Sequence, residues 1–504
     1  MTASVFSNRH LTDLPEAARI EWAPAGVPSP RLLLFNEALG DDLSVPAIWR
    51  RGEAAAAVWS GNSLPDSCCP AALAYAGHQF GQPVPQLGDG RALLLGQLPG
   101  PDGQLRDLQL KGSGRTPFSR MGDGRAALGP VLREYVVSEA MHALGIPTTR
   151  ALAATSSGET IARAAGPEPG AVLTRVARSH LRFGTFEYFA HRGDVGALRQ
   201  LADTAIAWHF PALANRPDPE RYPALLEALI EQTSRLITDW LRVGFIHGVM
   251  NTDNMSVSGE TLDYGPCAFM DAFDPGCVLS SVDQGGRYAF DQQGRIGHWN
   301  LTRLAECLLP LFGADTETAI DRAEALLARY PDAFQTHYRA MLAAKLGLAA
   351  DEPDITTADA DLGERLLALM AQAGSDYTNT FRQLAEAAPD DPAQETSMAA
   401  LLGAGADGRA WLQDYAARLA GRDGQAPAVS EHRRQALMRR TNPVVIPRNH
   451  RVEAALTAAE AGDLEPVQRL LDVLQTPYRA SPAAGPFTQP PAPFEQVLAT
   501  FCGT

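Results

Sequence analysis

The sequence predicts an α+β protein in which a β-rich segment precedes a larger, mainly helical one. Three observations carry that prediction. From about 76 to 190 the chain reads as strands separated by glycine-rich loops. From about 195 to 420 apolar residues recur at helical spacing. A polar, irregular loop, 247–265, interrupts the helical half.

Residues 1–75 are mixed and turn-rich, as at Pro28-Ser29-Pro30, and are read as an N-terminal extension. Residues 91–98, RALLLGQL, read as a buried strand. Residues 105–111, LRDLQLK, alternate, with Leu108 and Leu110 on one face and Gln109 and Lys111 on the other. After the polar loop 112–125, residues 131–144 place Leu132, Tyr135, Val136, Met141 and Leu144 at helical spacing, and Gly145 and Pro147 close the helix. Residues 171–176 read as a further strand. Residues 222–241 carry an apolar stripe of Leu225, Leu226, Leu229, Ile237 and Leu241. Ala- and Leu-rich helices follow over 300–420, and the proline-rich tail from about 476 reads as extended. The expected division is an extension (1–75), a β-rich lobe with nucleotide loops (76–190), a helical lobe around the 247–265 loop (191–420) and a C-terminal extension (421–504).

Composition narrows the function. A chain of 504 residues is too long for one compact core and suggests at least two lobes. A net charge of −15 argues against a nucleic-acid binder, which needs basic residues to displace counterions from a phosphate backbone. The first residues show no basic flank leading into an apolar run, so no signal peptide is expected. No stretch reaches about 18 uninterrupted apolar residues, so no membrane span is expected, and the expected location is the cytoplasm. The six cysteines form no C-x-x-C pair and no zinc-spaced cluster. Cys502 stands apart, three residues from the end, where an exposed thiol can be redox-active. Only two of the 43 basic residues are lysines, Lys111 and Lys345, so a compact ammonium is a candidate requirement at both.

The loop gives the chemistry. His247 and Asn254 stand seven residues apart, as do the His and Asn of the protein-kinase catalytic loop, and Asp263-Tyr264-Gly265 stands where D-F-G follows. Lys111 on a strand and Glu134 on the next helix repeat the order of the kinase lysine and its carboxylate partner. These matches make the expected architecture a kinase-like bilobal fold. Val249 occupies the position of the kinase base and cannot take a proton. Asp253, Asn254 and Asp263 offer the hard oxygen donors that a divalent ion on nucleotide phosphates requires. Each also has a plainer reading: a helix cap or Asx turn for these three, a surface ion pair for Lys111 and Glu134, with Glu139 as a competing partner. Arg175 and Arg182 can clamp phosphate oxygens or be solvated. The glycine segments 86–96 and 112–125 match neither the Rossmann fingerprint nor the P-loop. They suit backbone approach to phosphate or tight turns.

Dense segments at 75–92, 108–120, 133–153, 247–256, 262–275 and 441–450 resemble the selenoprotein O family, protein adenylyltransferases with a pseudokinase-like fold. The resemblance implies that ATP lies end for end in the cleft, with its α-phosphate toward a protein hydroxyl. AMP passes to Ser, Thr or Tyr and pyrophosphate leaves; UMP transfer from UTP is a close variant. It implies that Gly88, Gly90, Arg91, Lys111, Asp123, Gly124, Arg175, Arg182 and Asp263 bind the nucleotide. It further implies a Lys111–Glu134 ion pair, Mg²⁺ or Mn²⁺ on Asn254 and Asp263, and Asp253 as proton acceptor. The position of Cys502 implies a redox role, with pairing to Cys277 and an unpaired tail thiol as alternatives. The partners implied are ATP and acceptor proteins, with neither nucleic acid nor membrane. An ordinary kinase and a non-catalytic nucleotide-binding scaffold are the rival readings.

Overall fold

The computed structural model describes residues 5–163, 166–218, 220–313, 315–348, 357–387, 398–399, 401–403, 405–420 and 427–501. Within them the strands, in chain order, are β1 (Arg19–Glu21), β2 (Arg31–Phe35), β3 (Ala71–Leu73), β4 (Gly77–Gln79), β5 (Gln82–Val84) and β6 (Ala92–Pro99). There follow β7 (Leu105–Lys111), β8 (Ala126–Ala127), β9 (Arg150–Arg163), β10 (Gly166–Ala177), β11 (Phe245–Ile246) and β12 (Ala268–Phe269). One sheet runs β1-β3-β6-β7-β10-β9-β2, with β8 paired to β10, and β4–β5 and β11–β12 form two small ribbons. All these pairings are antiparallel.

The expected strand at 105–111 is β7 residue for residue, that at 91–98 is β6 moved by one, and that at 171–176 lies inside β10. β1, β2 and β3 come from the first 75 residues and join the same sheet. At three to five residues they are too short to show a period, and β2 finds its partner in β9, more than a hundred residues on.

Alternation along the strands sets the layers. Leu108, Leu110, Val172 and Val176 turn to one face, where they bury Trp59 of the Gly52–Trp59 helix. Ala171 and Leu173 turn to the other face, against Leu132 and Val136 of the Leu128–Ala143 helix. The Asn449–Glu460 and Glu465–Leu474 helices return from the end of the chain and share that core through Val452, Leu456, Val467 and Leu470. The polar side of β7 does not face water: Gln109 is completely buried and Asp107 nearly so.

Past β10 the chain is mainly helical. The Arg221–Arg242 helix is the expected one, extended by a residue at each end. Its stripe buries Leu225, Leu226, Leu229 and Ile237 against Phe183, Phe186, Leu301 and Leu304, while Leu241 joins a second core with Leu342, Leu366 and Tyr377. Each such side chain contributes roughly 1.5–3 kcal/mol by leaving water. The tail from 476 to 501 is irregular apart from the Gly485–Thr488 helix. Near its end Thr500 N donates to the Leu279 carbonyl and Thr500 Oγ1 to that of Pro266, both at 2.6 Å.

The two lysines have separate fates. Lys345 is buried: its Nζ donates to the Arg242 carbonyl at 2.8 Å and lies 3.9 Å from the Phe381 ring centre and 4.7 Å from that of Tyr377. Burial, then the nearby Arg242, hold its pKa well below the ordinary lysine value. A compact amine is required here by packing. Lys345→Ala leaves a buried carbonyl without its donor and is expected to lower stability by about 1–3 kcal/mol, measured by chemical denaturation, without loss of nucleotide-dependent activity.

Candidate active site

Lys111 ends β7, and the β7–β10 register sets it opposite Leu173 and sets Gln109 opposite Arg175. Strand alternation therefore puts Lys111 and Arg175 on the face that looks at the Leu128–Ala143 helix, where Glu134 projects toward them. Lys111 Nζ bonds Glu134 Oε2 at 2.6 Å and Asp263 Oδ1 at 2.6 Å. Arg175 Nε donates to Glu134 Oε1 at 2.7 Å, its Nη1 to Gln109 Oε1 at 3.2 Å, and its Nη2 approaches Asp263 Oδ1 at 3.5 Å. Two cations and two carboxylates thus form one closed cluster. Glu139, the competing partner, is taken by Arg150 and Asn36.

Burial opposes ionisation of both carboxylates, but the cations outweigh it. Arg175 and then Lys111 hold Glu134 below its ordinary pKa. Lys111, then Arg175 and Arg182, hold Asp263 well below its own. Asp263 is also one of four non-glycine residues with positive φ among the described residues, at 70°. Its neighbours fix that turn: the His247 ring lies 3.1 Å from the Leu262 carbonyl through Nε2, and the Tyr264 hydroxyl bonds that of Thr148. Tyr264 itself is buried against Phe245.

The 247–265 loop forms a short 3₁₀ turn at Thr252–Asn254. Asn254 Nδ2 donates to the Val249 carbonyl at 3.0 Å, which fixes the amide and assigns Oδ1 as its free acceptor side. Val249 thus contributes a backbone carbonyl where a kinase has its base, and its side chain is buried. Arg182 Nη1 donates to the Asp253 carbonyl at 2.6 Å, and its guanidinium lies 4.5 Å from the Tyr75 ring centre and 3.8 Å from Asp89. Burial pushes the Asp253 carboxyl up to about 6, with Arg182 pulling the other way.

One cleft of about 550 Å³ gathers Gly88, Gly90, Arg91, Lys111, Asp123, Gly124, Arg175, Arg182 and Asp263 in its wall. All nine residues expected at the nucleotide therefore meet. Glu134 stands behind them, while Asp253 and Asn254 are not part of that wall. The wall also includes Tyr75, Asp89, Arg125 and Arg163, which sequence reasoning missed. Asp89 lies between the two glycines already singled out. It accepts from Leu73 N and Gln109 Nε2, and so ties the first glycine loop to the sheet. Arg163 lies near the end of β9 and bonds Asp123 at 2.7 Å; no motif marks it. Six basic and three acidic side chains line the cleft, so it is locally cationic in an acidic protein.

The glycines let loops cross. A Cβ on Gly124, at φ 72°, would lie 2.2 Å from the Gly114 carbonyl carbon, and one on Gly88, at φ 133°, 2.4 Å from the Phe118 ring. The oxygen donors suit Mg²⁺ or Mn²⁺: Asp263 is held ionised, both cations bond its Oδ1 and not Oδ2, and Asn254 presents an oriented amide oxygen. Among the described residues no cluster of three His, Cys, Asp or Glu forms a metal cage. Cys277 is half-buried, and burial pushes its thiol up to about 11. Cys502 lies outside the described residues. No helix among them is long and apolar enough to cross a membrane.

Comparison with known proteins gives the class and then the family. The chain is 52% identical over 500 residues to a protein nucleotidyltransferase YdiU of Rhodopseudomonas palustris, covering 99% of both chains. It is 53% identical over 502 residues to the one from Rhizobium johnstonii, covering 99% of this chain and 97% of that one. It is 52% identical over 501 residues to the one from Cereibacter sphaeroides, covering 99% of each. This similarity defines a nucleotidyltransferase. The family described as Protein adenylyltransferase SelO matches residues 3–475, and the chain belongs to that family.

Gly124→Ala cannot be accommodated without parting the two loops at the cleft wall. It is expected to weaken binding of ATP, followed by fluorescence of a labelled analogue, at least about tenfold, the equivalent of roughly 1.4 kcal/mol. Far-ultraviolet circular dichroism should be unchanged.

Proposed function

We propose that this protein is an adenylyltransferase that moves AMP from ATP to Ser, Thr or Tyr hydroxyls of proteins, in a kinase-like bilobal fold that holds ATP reversed. The lobes in this reading are 76–190 and 191–420, flanked by extensions at 1–75 and 421–504, and the reaction takes place in the cytosol. One observation carries the reading: Lys111, Arg175, Arg182 and Asp263 share one cationic cleft, while the kinase base position holds Val249.

The residues divide the work by charge. Lys111, steered by Glu134, reaches phosphate oxygens. Arg175 and Arg182 hold the far phosphates, and the glycine loops at Gly88, Gly90, Arg91, Asp123 and Gly124 border the nucleotide. Asn254 and Asp263 hold Mg²⁺ or Mn²⁺, which when bound neutralises charge on the phosphate oxygens. The acceptor hydroxyl gives its proton to Asp253 as its oxygen bonds to the α-phosphorus. The bond from that phosphorus to the bridging oxygen breaks, and pyrophosphate leaves with the electron pair. Asp253 suits the role because burial makes its carboxylate a stronger base than a solvated one. Transfer of this kind depends on positioning and charge neutralisation more than on proton transfer. Since phosphate contacts do not read the base, UTP is a second donor in this reading.

ATP labelled at the α-phosphate should label acceptor protein, and ATP labelled at the γ-phosphate should not. Label from the γ position would mean a kinase. Asp263→Ala should abolish transfer with the fold intact, and a chelator should do the same to the wild type. Asp253→Asn should slow transfer by about 10²- to 10⁴-fold, the usual contribution of a general base. Undiminished transfer by Asp263→Ala would overturn both the metal site and the enzyme reading.

A further inference from the structure

Asp253 is held from a side that the phosphate cleft does not use. The β4–β5 hairpin lies over the Thr252–Asn254 turn and is pinned to it. His78 N donates to Thr252 Oγ1 at 2.7 Å, and Phe80 N to Asn251 Oδ1 at 3.0 Å. The Tyr288 hydroxyl donates to the same Asn251 oxygen at 2.6 Å, and His78 Nδ1 lies 3.0 Å from Glu187 Oε2 on the Phe183–Ala190 helix. Phe80 and Gly81 at the hairpin tip both have positive φ, 51° and 83°. That two-residue turn favours Asn-Gly, and a phenylalanine in the left-handed region is strained. The N–H bond to Asn251 and the Phe80 ring, 5.4 Å from that of Tyr288, hold the strained residue in place.

Two hairpin residues meet the carboxylate itself. Gln79 Nε2 donates to Asp253 Oδ2 at 3.3 Å, the one side-chain donor to that carboxylate among the described residues. Oδ1 is buried and has no partner among them. Gly77 lies against Oδ1: a Cβ there would be 2.7 Å from Oδ1 and 3.1 Å from Cγ. An amide on one oxygen and bare backbone beside the other restrict the side chain's rotation, while Oδ1 keeps its capacity to take a proton. Gln79 is not part of the phosphate cleft wall.

We infer that the β4–β5 hairpin is the positioning element of the proton acceptor, with Gln79 as a positioning residue and Gly77 as the space that admits the carboxylate. This rests on the reading of Asp253 as the base. The side chain of Gln79 acts on rate through Asp253 and leaves ATP binding alone.

The test uses the full chain, ATP radiolabelled at the α-phosphate, Mn²⁺ and casein as a generic hydroxyl-bearing acceptor. Gln79→Met keeps the unbranched length and removes the donor. Its kcat should fall about tenfold or more while KM for ATP stays within about twofold, because misplacing a catalytic group by an ångström costs up to about a hundredfold. In an Asp253→Asn background the same substitution should cost nothing further. Gly77→Ala, which pushes on Oδ1, should lower kcat about as far as Asp253→Asn does, with the thermal midpoint of both variants measured as the control for folding. A wild-type kcat in Gln79→Met, or an equal loss in the Asp253→Asn background, overturns the inference and leaves the base assignment standing. Wild-type transfer by Asp253→Asn overturns the base assignment and the inference with it.

Discussion

The structure depends on one ammonium group. Lys111 stands between Glu134 and Asp263 at 2.6 Å from each, and so joins the sheet, the helix packed on it and the loop that follows the helical core. Arg175 closes the cluster from the next strand. Glu134 and Arg175 are almost fully buried, and charges there are tolerable only when paired, because each ion forgoes several kcal/mol of hydration. The pairing also sets the charge of the cleft: Asp263 is kept ionised by cations that line the same wall. A single interaction thus fixes where the sheet and the loop meet and keeps Asp263 charged.

The glycine loops and the hairpin answer a second constraint, which is crowding. Loops that cross at Gly124 and Gly88 leave no room for a side chain, and Asp253 fits only because Gly77 has none. The side chains of the candidate site are therefore placed by backbone approach as much as by hydrogen bonds. The positive φ values at Phe80 and Asp263 belong to the same picture: strained residues persist where surrounding bonds over-determine them.

Much of this was legible in the sequence, for physical reasons that differ by element. β7 was visible because alternation has a strict period of two, and the Arg221–Arg242 helix because its apolar stripe recurs at helical spacing from Leu225 to Leu241. The ordered series Lys111, Glu134, Asn254, Asp263 was visible because it repeats the kinase pattern in residue type and order. β1, β2 and β3 were not, since short strands owe their existence to distant partners. Burial of Gln109 and Asp107 on the polar side of β7 was hidden for a related reason: alternation separates two faces but cannot say whether the polar one meets water or another charged layer. Asp89, Arg163 and Gln79 carry no motif and are brought to the site by tertiary pairing alone. Lys345 drew attention through its rarity and proved to serve packing.

The central claim is the direction in which the nucleotide lies. A crystal structure with a non-hydrolysable ATP analogue and Mg²⁺ tests it most directly. The account predicts the γ-phosphate against Arg175 and Arg182, the ion on Asn254 and Asp263, and the α-phosphorus as the phosphorus nearest the Asp253 carboxylate. A γ-phosphorus beside Asp253, with the base buried between the lobes, would contradict it.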